Sequence, residues 1–136
     1  MEVFAWCIMT NYIHLIFRSA NGQKPELLLG DFKRFTSKAI VQAVTDNPKQ
    51  SRKEWLLDQF LKAGSKSSNV NKYQFWQHDN KPIELLSNKV IDEKIDYIHS
   101  NPVEEGLVFR PEDNVYSSAA GYAGEQGLLN NLIVIK

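Results

Sequence analysis

The sequence predicts an α+β fold, an antiparallel β-sheet with helices packed on it. Three observations carry the prediction. Two stretches near the start, VFAWCIM (3–9) and YIHLIFR (12–18), are dense in β-branched and aromatic residues. Only Thr10 and Asn11 separate them, a spacing suited to a tight hairpin. Three later stretches repeat apolar residues every three or four positions, the period of a helix with one buried face.

Each element has its own signal. Asn11 tolerates the left-handed backbone of a hairpin turn. In the second strand Tyr12 and His14 lie two apart and share a face. Two polar rings on one face of an apolar strand are either tolerated core residues or what remains of a metal site. After the loop SANGQKP, Leu28, Phe32, Phe35, Ala39 and Ala43 form the apolar stripe of a helix from Pro25 to about Val44. Pro25 suits its first turn and Glu26 the positive end of its dipole. Lys33, Arg34 and Lys38 fall on the opposite, outer side. TDNPKQS breaks this helix. A second, about Lys53 to Ala63, turns Trp55, Leu56, Phe60 and Leu61 inward. KYQFWQ (72–77) alternates as a strand would. HDNKP reads as a turn, followed by a short IELL. Ser87 is the expected N-cap of a third helix running to about Ser100, with Val90, Ile91, Ile95 and Ile98 as apolar contacts. Asn101-Pro102 should end it, because the residue before proline avoids the α region. The tail is turn-rich, with a helical turn over Ser117–Tyr122 and a closing strand in LNNLIVIK.

At 136 residues, 43% of them apolar, the chain reads as a single domain spanning 1–136 with an ordinary globular composition. No apolar run approaches the ~20 residues that cross a bilayer, so no membrane partner is expected. The start lacks the flanks of a signal peptide. The one cysteine, Cys7, sits in an apolar run and is expected as a buried thiol in a reducing, cytoplasmic setting. Sixteen basic and sixteen acidic residues cancel, which excludes a strongly basic nucleic-acid binder. The charge is uneven, however: FKRFTSKAI and KQSRK carry cations without acids, while acids gather after Asp92.

The segment KIDYIHSNPVEEGLV holds the most unusual grouping. Tyr97 and Asn101 are four apart on a helix, one above the other, and Lys94 joins that face from three before Tyr97. Spacing alone also permits a packed tyrosine ring with an exposed hydroxyl, and an asparagine that merely ends the helix. Taken in order, CIMTNYIHLIF, the basic FKRFTSKAI, FWQ and YIHSNPVEEGLVFRPEDNVYSSAAGY resemble the REP-associated tyrosine transposases. These are small single-tyrosine transposases of the HUH endonuclease superfamily. The resemblance runs from about Ala5 to Gly124.

The resemblance implies a ferredoxin-like, HUH-type α/β sandwich that binds single-stranded hairpin DNA. It implies nicking and joining through a 5′-phosphotyrosine, with Tyr97 as nucleophile and Mg²⁺ or Mn²⁺ as cofactor. His14 and Asn101 would be metal ligands, and Lys94 would orient substrate or stabilise the phenolate. Lys33, Arg34 and Lys38 would contact phosphates, and Trp6, Tyr73, Trp76 and Tyr116 either stack on bases or fill cores. The sequence departs from the pattern at Tyr12, which stands where a first histidine ligand is expected; a neutral phenol is a poor ligand for Mg²⁺. A weakened site, rescue by another residue, or a decayed transposase that only binds DNA would each account for it. His99 projects about 160° or more away from Tyr97 and is expected at the surface; His78, in a turn, is a second rescuer to weigh. Relatives also begin with a further strand and helix, so the chain is expected to be N-terminally shortened and to complete its sheet as a homodimer, with LLNNLIVIK filling the vacant edge. An unrelated small α+β interaction domain is the remaining reading.

Overall fold

The computed structural model describes residues 1–68 and 72–135. Among them the secondary structure is a two-stranded antiparallel sheet, four α-helices and one 3₁₀ turn at Pro111–Asp113, a mixed α+β arrangement. The chain divides into two compact units: Met1–Gln23 with Ile83–Lys136, and Lys24–Pro82. No helix among the described residues is long and apolar enough to cross a membrane.

The first unit is built on the hairpin. β1 (Glu2–Ile8) pairs with β2 (Ile13–Arg18), closed by a hydrogen bond from the Met9 N–H to the Tyr12 carbonyl of 2.9 Å. The register sets Cys7 opposite His14 and Ala5 opposite Ile16, with a bulge between Val3 and Ala5. Partners across an antiparallel pair share a face. Cys7, Met9 and Ile98 form the buried core with Ile16 packed against them, so that face looks onto α3 (Asn88–Glu104), which supplies Ile95 and Ile98. Burying each such apolar side chain stabilises by about 1.5–3 kcal/mol. Cys7 is buried as expected, and burial pushes its thiol pKa up.

The edge of β1 not taken by β2 is covered by the chain itself. The Ile8 N–H donates to the Tyr116 carbonyl (2.8 Å), the Ser118 N–H to the Trp6 carbonyl (2.9 Å) and the Ile133 N–H to the Val3 carbonyl (3.1 Å). The Tyr122 hydroxyl donates to the Phe4 carbonyl at 2.8 Å from α4 (Ala119–Tyr122), the helical turn expected there. LNNLIVIK is therefore not a strand over its described residues, 129–135. It makes a single backbone bond to β1, and its Ile135 N–H donates to the Tyr122 hydroxyl.

Two expectations about α3 are corrected. The helix does not stop before Asn101-Pro102 but runs to Glu104 with Pro102 inside it. Proline in a helix interior costs about 3 kcal/mol. Here Pro102 is fully buried, and its carbonyl accepts from Leu107 (2.8 Å) and Val108 (3.4 Å), so the following turn closes around it. His99, expected at the surface, is buried beside Ser118 (2.7 Å from its Nε2) and against the Tyr122 ring. The Ser118 hydroxyl also accepts from the Trp6 N–H (2.9 Å), so one small side chain ties β1, α3 and the tail together.

The second unit consists of α1 (Pro25–Asp46), α2 (Lys53–Ser65) and the chain after it. KYQFWQ is not a strand. The Gln74 N–H donates to the Phe60 carbonyl (2.9 Å), the Trp76 indole N–H to the Thr36 hydroxyl (2.8 Å), and Phe75 meets the Phe60 ring edge-on. Helix side chains hold this segment, so its aromatics pack without a partner strand. Gly64 permits the approach: a Cβ there would lie 2.2 Å from the Lys72 carbonyl oxygen. The inward side of α1 is also rotated from the expected stripe. Leu28 and Phe32 are half-buried, whereas Phe35, Ala39 and Ala43 are exposed, and Leu29, Thr36, Ile40 and Val44 turn inward instead. On α2, Leu56 and Phe60 are half-buried, while Trp55 and Leu61 are exposed, with the Arg52 guanidinium over the Trp55 ring.

Burial pushes the His99 imidazole below its ordinary 6.5. A group depressed in the folded state binds more protons when unfolded, so its stabilising contribution is complete above about 6.5 and is lost as pH falls below it. Melts at pH 7 and pH 5 should show lower stability at pH 5, with a smaller pH dependence in His99→Gln. An equal pH dependence in the two proteins would contradict the buried, neutral ring.

Candidate active site

Because the helix continues through Pro102, four polar side chains line one face of α3. Lys94, Tyr97, Asn101 and Glu105, which caps the helix, are spaced i, i+3, i+7 and i+11. At ~100° per residue they fall within an arc of about 80°. The hairpin register turns His14 toward the same helix, since its cross-strand partner Cys7 packs on Ile98. The result is a cluster inside the first unit. The Asn101 Nδ2 lies 2.9 Å from the His14 Nε2. The Tyr97 and Tyr12 rings meet the His14 ring edge-on, with centroids at 5.6 and 5.1 Å respectively. The Lys94 ammonium sits 5.6 Å from the centroid of the Tyr97 ring. Tyr12, His14, Lys94, Tyr97 and Asn101, all singled out in the sequence, are thus brought together.

The electrostatics assign states to these groups. Burial pushes the His14 pKa down and the Lys94 charge acts with it, against the opposing pull of Glu105. The ring is neutral at pH 7. An amide N–H aimed at Nε2 meets a lone pair, which places the ring proton on Nδ1. Asn101 is itself buried, so losing the imidazole would leave its amide unpaired at about 1–3 kcal/mol. Tyr97 is 49% exposed, which leaves its hydroxyl accessible. The Tyr12 hydroxyl donates to the Glu105 Oε1 at 2.6 Å, and that carboxylate holds its proton on, with the pKa pushed up to about 12. At neutral pH Tyr12 is therefore a proton donor to a carboxylate, and the phenolate that would bind a cation is disfavoured.

Glu105 is the site residue that sequence reasoning missed. Its signal was its spacing, four beyond Asn101 and eight beyond Tyr97, which counts only if the helix passes Pro102. Among the described residues no three His, Cys, Asp or Glu side chains form a metal cluster. The donors near Tyr97 are mixed: an imidazole, a carboxamide and a carboxylate. They suit a hard divalent cation, because the imidazole is neutral and a half-turn of the Asn101 amide presents its oxygen where its nitrogen now sits.

The other predicted site residues belong to the second unit. The Lys33 ammonium donates to the Gln77 carbonyl and to Asn80 Oδ1 (2.7 Å), and burial lowers its pKa. Arg34 pairs with Asp31 at 2.9 Å, and Lys38 is exposed. His78 bonds to the Ser67 hydroxyl at 3.1 Å. Of the aromatics considered for stacking, Trp6 is buried, Trp76 half-buried and Tyr116 exposed.

Ultraviolet titration of the phenols should show one tyrosine ionising near pH 12, absent from Tyr12→Phe and returning toward 10 in Glu105→Gln. If Tyr12→Phe removes instead a transition near 10, the phenol–carboxylate bond does not form. Comparisons with protein-family profiles, curated proteins and solved structures found no match.

Proposed function

We propose that this protein binds single-stranded hairpin DNA and cleaves and rejoins it through Tyr97, as the resemblance to single-tyrosine transposases implies. The observation that carries the reading is the placement of an accessible phenol edge-on to a neutral imidazole that is hydrogen-bonded to a carboxamide. The sequence likeness implies the same three residues as nucleophile and metal ligands.

The chemistry balances without a redox partner. The Tyr97 oxygen forms a bond to phosphorus as the bond from phosphorus to the 3′ oxygen breaks. The phenol loses a proton and the departing 3′ oxygen gains one, leaving a 5′-phosphotyrosine and a free 3′ hydroxyl. The reverse reaction joins a strand. His14 and Asn101 would hold Mg²⁺ or Mn²⁺, which when bound polarises the scissile phosphate. Lys94, whose ammonium lies beside the Tyr97 ring, would orient the substrate phosphate. Lys38 is the exposed α1 cation for phosphates, since Lys33 is engaged by Gln77 and Asn80 and Arg34 by Asp31.

A second reading, a relative that binds DNA without cutting it, draws on Tyr12: the residue at the expected first ligand position is committed to Glu105. One experiment separates the two. Labelled single-stranded hairpin DNA is incubated with the protein and Mn²⁺, and covalent adduct and bound DNA are both measured. The nuclease reading predicts an adduct that is lost in Tyr97→Phe and at least about tenfold lower in His14→Ala. Binding without adduct supports the non-catalytic relative; neither binding nor adduct overturns both.

A further inference from the structure

We infer that Glu105 is a ligand of the same cation as His14 and Asn101, and that Tyr12 is a positioning residue that holds its carboxylate. This rests on the metal-dependent part of the proposed function and adds to it a residue that the resemblance does not assign. Three observations carry it. Glu105 stands one helical turn beyond Asn101 on the same face of α3, so its carboxylate leaves the helix on the side where His14 meets Asn101. It is tethered there: Oε1 accepts from the Tyr12 hydroxyl at 2.6 Å, and the ring carrying that hydroxyl packs edge-on against the His14 ring. Its other oxygen, Oε2, takes no hydrogen bond among the described residues, although its charge reaches His14.

A carboxylate beside a phosphate-cleaving tyrosine is unfavourable by itself, because it repels the substrate. A dication between them reverses the sign of that interaction. The donor chemistry agrees: Mg²⁺ and Mn²⁺ prefer oxygen, and a carboxylate binds them better than a neutral phenol. The site so composed replaces an imidazole by a phenol and recovers the lost donor through the carboxylate that the phenol orients. Tyr12 then acts through Glu105, and its proton is needed where it is.

The test is direct binding of Mn²⁺ to the full chain, followed by the electron paramagnetic resonance signal of the free ion. Wild type, Glu105→Gln, Tyr12→Phe and His14→Ala are compared, with melting temperature recorded for each. Glu105→Gln should bind at least about tenfold more weakly, and Tyr12→Phe several-fold more weakly, with melting temperatures close to wild type. If Glu105→Gln binds as wild type does while His14→Ala does not, the Glu105 assignment is overturned and the His14–Asn101 pair of the proposed function stands. If Tyr12→Phe binds as wild type does, the positioning role is overturned. If wild type binds no Mn²⁺, the cation site fails as a whole, and adduct formation in the presence of a chelator then judges Tyr97 separately.

Discussion

A neutral imidazole on β2 and a carboxamide on α3 share one 2.9 Å hydrogen bond, and the geometry of the candidate site depends on it. The contact is a consequence of packing. Cys7 and His14 are cross-strand partners on one face, and Cys7 is buried against Ile98. A slip of one residue in the hairpin would turn Tyr12, His14 and Ile16 to the other face together. Ile16 packs on the core, which fixes the register and brings the two polar rings with it. The same hydrophobic contacts that stabilise the hairpin therefore aim His14 at the helix.

The helix contributes a second constraint. Its buried side carries Ile95, Ile98, His99 and Pro102, while Lys94, Tyr97, Asn101 and Glu105 occupy an adjoining stripe. His99 is held by Ser118, which also bonds to both backbone groups of Trp6. Rotation of α3 about its axis would break those bonds and the His14–Asn101 contact at once. A buried neutral histidine on one side and a chemically loaded stripe on the other are thus two results of one helix orientation.

Much of this was legible in the sequence, and the misses have physical causes. The hairpin showed in β-branched runs separated by two residues, and the grouping of Lys94, Tyr97 and Asn101 in helical spacing. Glu105 was invisible because Asn101-Pro102 is ordinarily a stop signal, overridden here by the burial of Pro102 and the bonds its carbonyl accepts. The strand expected at KYQFWQ failed because alternation of aromatic residues does not distinguish a sheet from an extended segment pinned by helix side chains. The stripe on α1 was misplaced by one position, since Leu28 and Leu29 start equally good helical periods and only the Trp76–Thr36 and Lys33–Asn80 contacts choose between them. Ser118 gave no sign of linking three elements, because a small hydroxyl has no sequence signature.

His14, Asn101 and Tyr97 meet, although 83 residues separate the imidazole from the phenol in sequence. Nuclear Overhauser spectroscopy on protein labelled at histidine, tyrosine and asparagine tests it most directly. Cross-peaks are expected from the His14 ring protons to both the Tyr97 ring protons and the Asn101 side-chain amide. A His14 ring with neither cross-peak, in a protein whose β1–β2 hairpin signals are intact, would contradict the account.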